Sequence, residues 1–335
     1  MADKPRLMPA EWQHGSLFSS PYTFMGVPGT RDLSKADVAI IGMPLDLGTM
    51  IRSGARFGPR GIRNASTHLQ THAHKVEDLK EPFRSLRVID YGDIEMPYGY
   101  IEEAVKRIEA AVAKATETDT FPLCLGGDHS ISLPILRALF KKHGKLSLVH
   151  FDAHPDFWEP PEGMPYNHGT MFRMASDEGI MDPHFSVQVG IRGGASLQIL
   201  NEVRAAGITV ITGDEFWRVG VQETVETIKK AAGGHPVHVS FDIDSVDPAF
   251  APGTGTPEVA GLTSREAMAL VRALRDIGAV GFDIVEVAPP YDSSDITSIL
   301  AANLVYEFLL TLVPRWQDQF PRLSEPNLED TWRIQ

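Results

Sequence analysis

The sequence predicts an α/β protein, a single-domain three-layer α/β/α sandwich around a central sheet of eight parallel strands. Three observations carry this. Short β-branched and apolar runs recur along the 335 residues, each followed by a turn signal and then a helical pattern, which is how the βα units of a parallel sheet are written. Apolar residues make up 43% of the chain against 22% charged, enough to bury one large core. No proline-, glycine- or serine-rich linker, internal repeat or low-complexity block divides the chain, so one domain spanning residues 1–335 is expected.

In order, strands are expected near Val38–Gly42, Leu86–Asp90, Pro122–Leu125, Leu146–Phe151, Ser186–Gly190, Thr209–Thr212, Val237–Phe241 and Val280–Val287. Among the intervening helices, Ile101–Thr116 sets Ile101, Val105, Ile108 and Val112 on one face, and Ser264–Ile277 opens on Ser264 and carries Met268, Val271 and Leu274. These stripes are packing surfaces, not cofactor sites. The longest apolar stretch, Ser298–Val313, is interrupted by Asn303 and Glu307 and reads as an amphipathic buried helix rather than a membrane span. Residues 1–21 are expected to form an N-terminal arm. Residues 314–335, with Trp316, Phe320 and Trp332 spaced among prolines and charges, read as a tail that packs on the body or on a neighbouring subunit.

A net charge of −13 supplies no basic field for phosphate backbones or anionic lipid. Nucleic-acid and membrane partners are not expected. Met1 to Trp12 holds no apolar run of the secretory type, and the single cysteine, Cys124, leaves no intrachain disulfide to form. A cytoplasmic location is expected, with Cys124 an inert core thiol inside an apolar strand.

Three polar clusters stand at the ends of apolar strands. Gly126-Gly127-Asp128-His129-Ser130 follows the third, Asp152-Ala153-His154-Pro155-Asp156 the fourth, and Asp242-Ile243-Asp244 the seventh. Strand alternation would point Asp152, His154 and Asp156 one way, and Asp242 and Asp244 likewise. Ligands of open parallel sheets collect outside the carboxyl ends of the strands, where all three clusters fall. A single aspartate there is more often a helix N-cap or a solvated turn. Three clusters together are not, because buried unpaired carboxylates are too costly to recur by accident. Divalent cations supply the missing charge, and two fit this ligand count better than one. Carboxylate and imidazole donors without thiolate suit Mn²⁺, Ni²⁺, Fe²⁺ or Zn²⁺. No phosphate-cradling loop of the P-loop type is present, and Gly253-Thr254-Gly255-Thr256 lacks the helix-opening glycine of a dinucleotide fingerprint.

These runs, extended to Ser240–Pro248, resemble the three metal-binding signatures of the ureohydrolases, the arginase and agmatinase family. Gly54–Arg63, Ala251–Glu258 and Asp283–Pro290 resemble further family segments, so the likeness covers about Tyr22 to Val313. Asp46-Leu47-Gly48 and His168-Gly169-Thr170-Met171-Phe172 look more like agmatinases than arginases. The resemblance implies an arginase-like fold and a hydroxide held between two metal ions that attacks a guanidino carbon, releasing urea and an amine. It implies that His129, Asp152, Asp156 and Asp242 hold one ion and Asp152, His154, Asp242 and Asp244 the other, with Asp152 and Asp242 bridging. Asp156 would also orient the hydroxide, and Asp128 and Asp247 would lie in the outer shell. His168 is implied as the mobile proton shuttle to the leaving amine. Glu286 is implied as the acceptor of the guanidinium, a planar donor fork that a carboxylate matches. Two ions per subunit, Mn²⁺ with Ni²⁺ as the alternative, and a homo-trimer or homo-hexamer are likewise implied; assembly with a related but different subunit is the other possibility.

Two rival readings are weaker. Deacetylase-like amidohydrolases share the architecture but use one catalytic metal, whereas Asp156 and Asp244 are both retained here. A non-catalytic partner subunit would be expected to have lost ligands, and none is lost.

For the substrate, Phe157-Trp158-Glu159-Pro160-Pro161-Glu162 and Gly193-Gly194-Ala195 offer no amino-acid clamp, so arginine should be a poor substrate. Phe157 and Trp158 are expected to set apolar surface beside the metals, with Trp158 in the substrate pocket, unless they only pack the loop. Glu159 and Glu162 add negative charge that favours a cation, and Arg173 and Arg192 are not obviously placed to hold a carboxylate. The expected substrate is a small cationic guanidino compound: agmatine first, then guanidine, an alkylguanidine or a biguanide such as metformin, with 4-guanidinobutyrate the alternative.

Overall fold

The computed structural model describes residues 22–67, 69, 82–194, 196–233 and 235–319. The expected arm at 1–21, Ala195, and the tail beyond Gln319 with Phe320 and Trp332 lie outside the described residues. Eight strands form one sheet: β1 (Val38–Met43), β2 (Val88–Asp93), β3 (Phe121–Gly126), β4 (Ser147–Phe151), β5 (Val187–Ile191), β6 (Thr209–Thr212), β7 (Val237–Asp242) and β8 (Ala279–Val285). Their order is β2-β1-β3-β8-β7-β4-β5-β6 and every pairing is parallel.

The strands read as continuous apolar runs because both faces are covered. On β1, Val38 and Ile40 enter one core while Ala39, Ile41 and Met43 enter the other; β3 divides the same way, with Leu123 and Leu125 opposite Cys124. The first face is covered by helices α1 (Gly58–Ser66), α7 (Gly213–Ala231), α8 (Ser264–Arg272) and α9 (Ile296–Gln319), with α2 (Pro82–Ser85) packed on α9. The second is covered by α3 (Ile101–Glu117), α4 (Ser132–His143), α5 (Met171–Asp177) and α6 (Leu197–Ala206). Three layers result, as expected.

Several boundaries differ from the sequence reading. Helix α8 opens at Ser264 as expected, behind a reciprocal capping box of Thr263 and Glu266, but ends at Arg272 rather than Ile277. Strand β8 stops at Val285 because Glu286 has φ +61°, a left-handed conformation that no strand continues. Helix α9 runs past Val313 through Pro314 to Gln319, further than its apolar stretch predicts. It is also less amphipathic than expected. Its segment Ile296–Val313 is long and apolar enough to cross a membrane, yet 83% of it is buried in this fold, and Glu307 is buried with its carboxylate on Arg272, 2.6 Å away.

Candidate metal and substrate site

Strands β3, β8, β7 and β4 are consecutive in space, and register holds their carboxyl ends level: Leu125 lies beside Ile284, Asp242 beside Val285, and Phe151 beside Phe241. His129, Glu286, Asp242–Asp244 and Asp152–Asp156 follow these four strands and meet in one buried place. Close approach is built in at Gly127, where a Cβ would lie 2.4 and 2.6 Å from the carbonyl oxygens of Leu45 and Met43.

The clusters converge, but not by strand alternation. The chain leaves β4 at Phe151, so Asp152, His154 and Asp156 occupy a turn in which Asp152 Oδ1 accepts the His154 N–H at 2.6 Å and Asp156 adopts φ +47°. Asp242 ends β7 and caps the next turn, its Oδ1 accepting the Asp244 N–H at 2.8 Å. Asp244 Oδ1 in turn accepts from the backbone of Ala153 at 3.1 Å, joining the two turns. Short self-capping aspartates replace the pleat as the organising device.

His129 Nδ1 faces Asp156 at 2.9 Å, Asp152 at 3.1 Å and Asp242 at 3.2 Å. His154 Nδ1 faces Asp244 at 3.0 Å and Asp152 at 3.4 Å. Asp152 therefore serves both groups, Oδ2 toward His129 and Oδ1 toward His154. Asp242 reaches the first group through Oδ2; among the described residues, the second compact donor set is Asp152, His154 and Asp244 without it. The first compact set contains His150, which the sequence reading missed. His150 is buried on β4, with Nε2 2.7 Å from Asp152 Oδ2. The alternation rule applied one step upstream of Asp152 would have found it.

These donors fit divalent cations. Ser240 donates its hydroxyl to Asp283 Oδ1 at 2.6 Å and must take the His129 Nε2–H at 2.8 Å, which leaves Nδ1 as a bare lone pair, buried and without a hydrogen-bond partner. A lone pair among three carboxylates is stable only with positive charge between them. Without a metal, protons take that role: although burial opposes the charge, the carboxylates of Asp152, Asp156 and Asp242 hold His129 protonated far above its ordinary range. Burial, reinforced by Asp244 and Asp152, lifts Asp242 well above the usual carboxylate range. His154 resists charging by burial, yet Asp244 and Asp152 push its pKa up to about 12. An oxygen-rich set with three imidazoles, of His129, His150 and His154, and no thiolate is a place for hard or borderline divalent ions.

The residues expected in the outer shell divide. Asp128 accepts from the backbone of Ser130 and, at 2.7 Å, of Gly48; burial and the nearby Glu286 raise its pKa to about 6. Asp247 accepts backbone N–H groups of Ala249 and Gly261 in its own loop, and among the described residues no hydrogen bond joins it to His129 or His154. Asp283 reaches the candidate donor His129 through the Ser240 hydroxyl, the arrangement by which an outer carboxylate orients an imidazole.

His168 and Glu286 come together as well. His168 Nδ1 lies 2.9 Å from Glu286 Oε1, which also accepts the His129 backbone N–H at 2.9 Å. The Met50 N–H donates to His168 Nε2 at 3.2 Å. Burial disfavours a charge on His168, but Glu286, Asp156 and Asp128 together outweigh it and push the pKa up to about 9. Charging the ring costs the Met50 bond, so protonation and loop position are linked. Glu286 Oε2 remains buried with no partner.

The substrate-loop residues separate too. Phe157 packs in the core, 2% exposed, with the Arg173 guanidinium 5.6 Å over its ring. Trp158 is partly buried, and a Cβ added at Gly194 would lie 3.5 Å from its ring and 3.4 Å from His154, so the indole borders the second donor group. Arg173 is turned to Asp177. Arg192 is spent on the carbonyls of Gly190, Asp244, Ser245, Glu258 and Val259.

A parallel α/β sheet whose strand ends gather carboxylates and imidazoles around two donor groups defines a metallohydrolase-type site. The comparisons with known proteins make the assignment specific. Residues 36–311 match the model of the arginase family. The chain is 43% identical over 299 residues to a guanidinobutyrase of Pseudomonas aeruginosa, covering 88% of this chain and 93% of that one. It is 44% identical over 296 residues to an agmatinase of Neisseria meningitidis, with 88% and 94% covered. Among solved structures, proclavaminate amidino hydrolase from Streptomyces clavuligerus superposes with a TM-score of 0.86 at 40% identity, covering 89% of this chain and 99% of that one. The protein belongs to the arginase family and is a hydrolase acting on C–N bonds.

Proposed function

We propose that this enzyme hydrolyses a guanidino compound to urea and an amine at a site holding two divalent metal ions. The observation that carries the reading is Glu286 Oε2, a buried carboxylate oxygen without a partner beside the two donor groups. The planar N–H fork of a guanidinium is its natural complement.

His129, Asp152, Asp156 and Asp242 would hold one ion; Asp152, His154, Asp244 and Asp242 the other. Such ions, when bound, lower the pKa of water enough to supply hydroxide near neutral pH. Asp156 accepts a hydrogen bond from that nucleophile and aims it. Glu286 orients the guanidinium, which resists attack because its charge is delocalised. His168, tied to Glu286, delivers a proton to the departing amine. Trp158 walls the pocket beside His154. The oxygen-rich donors support Mn²⁺, with Ni²⁺ the alternative, and a closed homo-trimer or homo-hexamer is proposed on family resemblance. The lone buried Cys124 is in keeping with a cytoplasmic location.

For substrate we favour a cation without an α-amino acid group, agmatine first, then guanidine, an alkylguanidine or metformin. Arg173 and Arg192 are both committed elsewhere and leave a carboxylate tail without either as a partner. Likeness to a guanidinobutyrase favours 4-guanidinobutyrate as the second reading. Urea release from this panel, with arginine included and Mn²⁺ or Ni²⁺ supplied, is the test. A cationic compound should show the highest kcat/KM and arginine a poor one. If 4-guanidinobutyrate leads, the second reading holds; if arginine leads, the pocket reading is wrong.

A further inference from the structure

Beside the unpartnered Glu286 Oε2 lies Gly255, which is buried. A Cβ built on Gly255 would lie 3.5 Å from Glu286 Oε2, 3.0 Å from the backbone carbonyl oxygen of Arg52 and 4.0 Å from Thr49 Cγ2. The φ of Gly255 is not in the left-handed region, so its backbone demands no glycine. What glycine provides there is space. Two oxygen acceptors face that space, and Thr49 beside it holds a buried hydroxyl without a partner.

The segment that presents Gly255 is clamped from outside. Arg52 donates Nε to the Gly255 carbonyl at 3.0 Å and Nη2 to the Thr254 carbonyl at 2.7 Å, and its guanidinium lies 4.5 Å over the Tyr291 ring. From the other side, Gly253 donates to Thr297 Oγ1 and its carbonyl accepts from Ala288, each at 2.8 Å. The same segment reaches the second donor group, where Thr256 Oγ1 donates to Asp244 at 3.1 Å. Its position therefore sets the gap in front of Glu286.

We propose that Gly255 determines which substituted guanidines fit against Glu286, and that Arg52 is the positioning residue that holds Gly255 at that distance. This rests on the reading of Glu286 as the guanidinium acceptor. A methyl group at Gly255 would crowd any substituent on the bound nitrogens while leaving unsubstituted guanidine more room. Arg52 touches no reacting atom; it acts through two carbonyls that only a two-pronged donor bridges.

The test compares wild type, Gly255→Ala, Arg52→Ala and Arg52→Lys, all loaded with Mn²⁺, on guanidine, N-methylguanidine and agmatine, with metal content and Tm measured in parallel. For Gly255→Ala, KM should rise about tenfold or more for the substituted compounds and least for guanidine, with metal content near wild type and Tm lowered modestly by the 3.0 Å contact with the Arg52 carbonyl. Arg52→Lys, which adds no volume to the pocket, should raise KM severalfold with kcat little changed, and Arg52→Ala more so. An unchanged KM in Gly255→Ala overturns the pocket assignment, and an unchanged KM in Arg52→Lys overturns the clamp. If Gly255→Ala does not fold, the Arg52 pair decides alone. Equal losses on every substrate, tracking lost metal, would make both residues structural only and overturn the inference. Wild type that releases urea while these variants behave as wild type leaves the parent reading standing; wild type that turns over no guanidino compound defeats both.

Discussion

At the scale of single residues, the site is governed by which atom each side chain has left over. His129 presents Nδ1 because Ser240, itself committed to Asp283, claims Nε2. Ser240→Ala frees the ring to choose either tautomer, so metal affinity should fall about tenfold to a hundredfold, read by titrating apo protein with Mn²⁺; unchanged affinity would show that Ser240 orients nothing. His168 must carry a proton to act as an acid. Its folded pKa is raised from 6.5 to about 9: burial lowers it, and Glu286, Asp156 and Asp128 together raise it by more. Bound divalent cations would act in the same direction as burial. The alkaline limb of kcat should therefore fall at or below about pH 9, and His168→Asn should flatten it. A limb unchanged in that variant removes His168 from proton transfer.

Elements matter through where they stop. β4, β7 and β8 end at Phe151, Asp242 and Val285, and the left-handed residues Asp156 and Glu286 then turn the chain across the strand ends. Strained non-glycine backbone of this kind persists only where surrounding contacts over-determine it. Here the Glu286 N–H is held by the Gly127 carbonyl at 2.9 Å and its carboxylate by His129 and His168. On the far side of the molecule, α9 buries Glu307 against Arg272 of α8, with donors at 2.6 and 2.9 Å. Arg272→Ala leaves that carboxylate without these two donors, and partial exposure of the arginine moderates the cost to about 1–3 kcal/mol. Chemical denaturation should show that loss with urea release from the preferred substrate intact; a stable variant would mean that Glu307 is held by its other contacts.

For the whole molecule, buried like charges make metal and stability interdependent. Folding gathers Asp152, Asp156, Asp242 and Asp244 in one buried place, and an ion that binds only the folded state adds about 2.7 kcal/mol at a free concentration of 100 times its Kd. Chelation should abolish activity and lower Tm, and Mn²⁺ or Ni²⁺ should restore both. Full turnover by protein containing no transition metal would contradict the binuclear reading. Small-angle scattering tests the proposed trimer or hexamer, and a monomer would contradict it.

What the sequence determined by itself was the layer architecture and the chemistry of the strand ends. Both are local signals: an apolar run buried on both faces looks the same wherever its strand pairs, and Asp152, His154, Asp242 and Asp244 announce a cation because no apolar core tolerates them unpaired. Tertiary structure decided what depends on partners distant in the chain. His150 came to lie among the candidate donors, Phe157 packed in the core, Asp247 capped its own loop, and Asp283 reached His129 through Ser240. Even the convergence of the ligands, expected from the two-residue period of a strand, arose from turns beyond the strand ends. The physical reason is common to all of these: residue type sets what an atom can donate or accept, whereas the lone pair left free is settled only when the rest of the fold has taken the others.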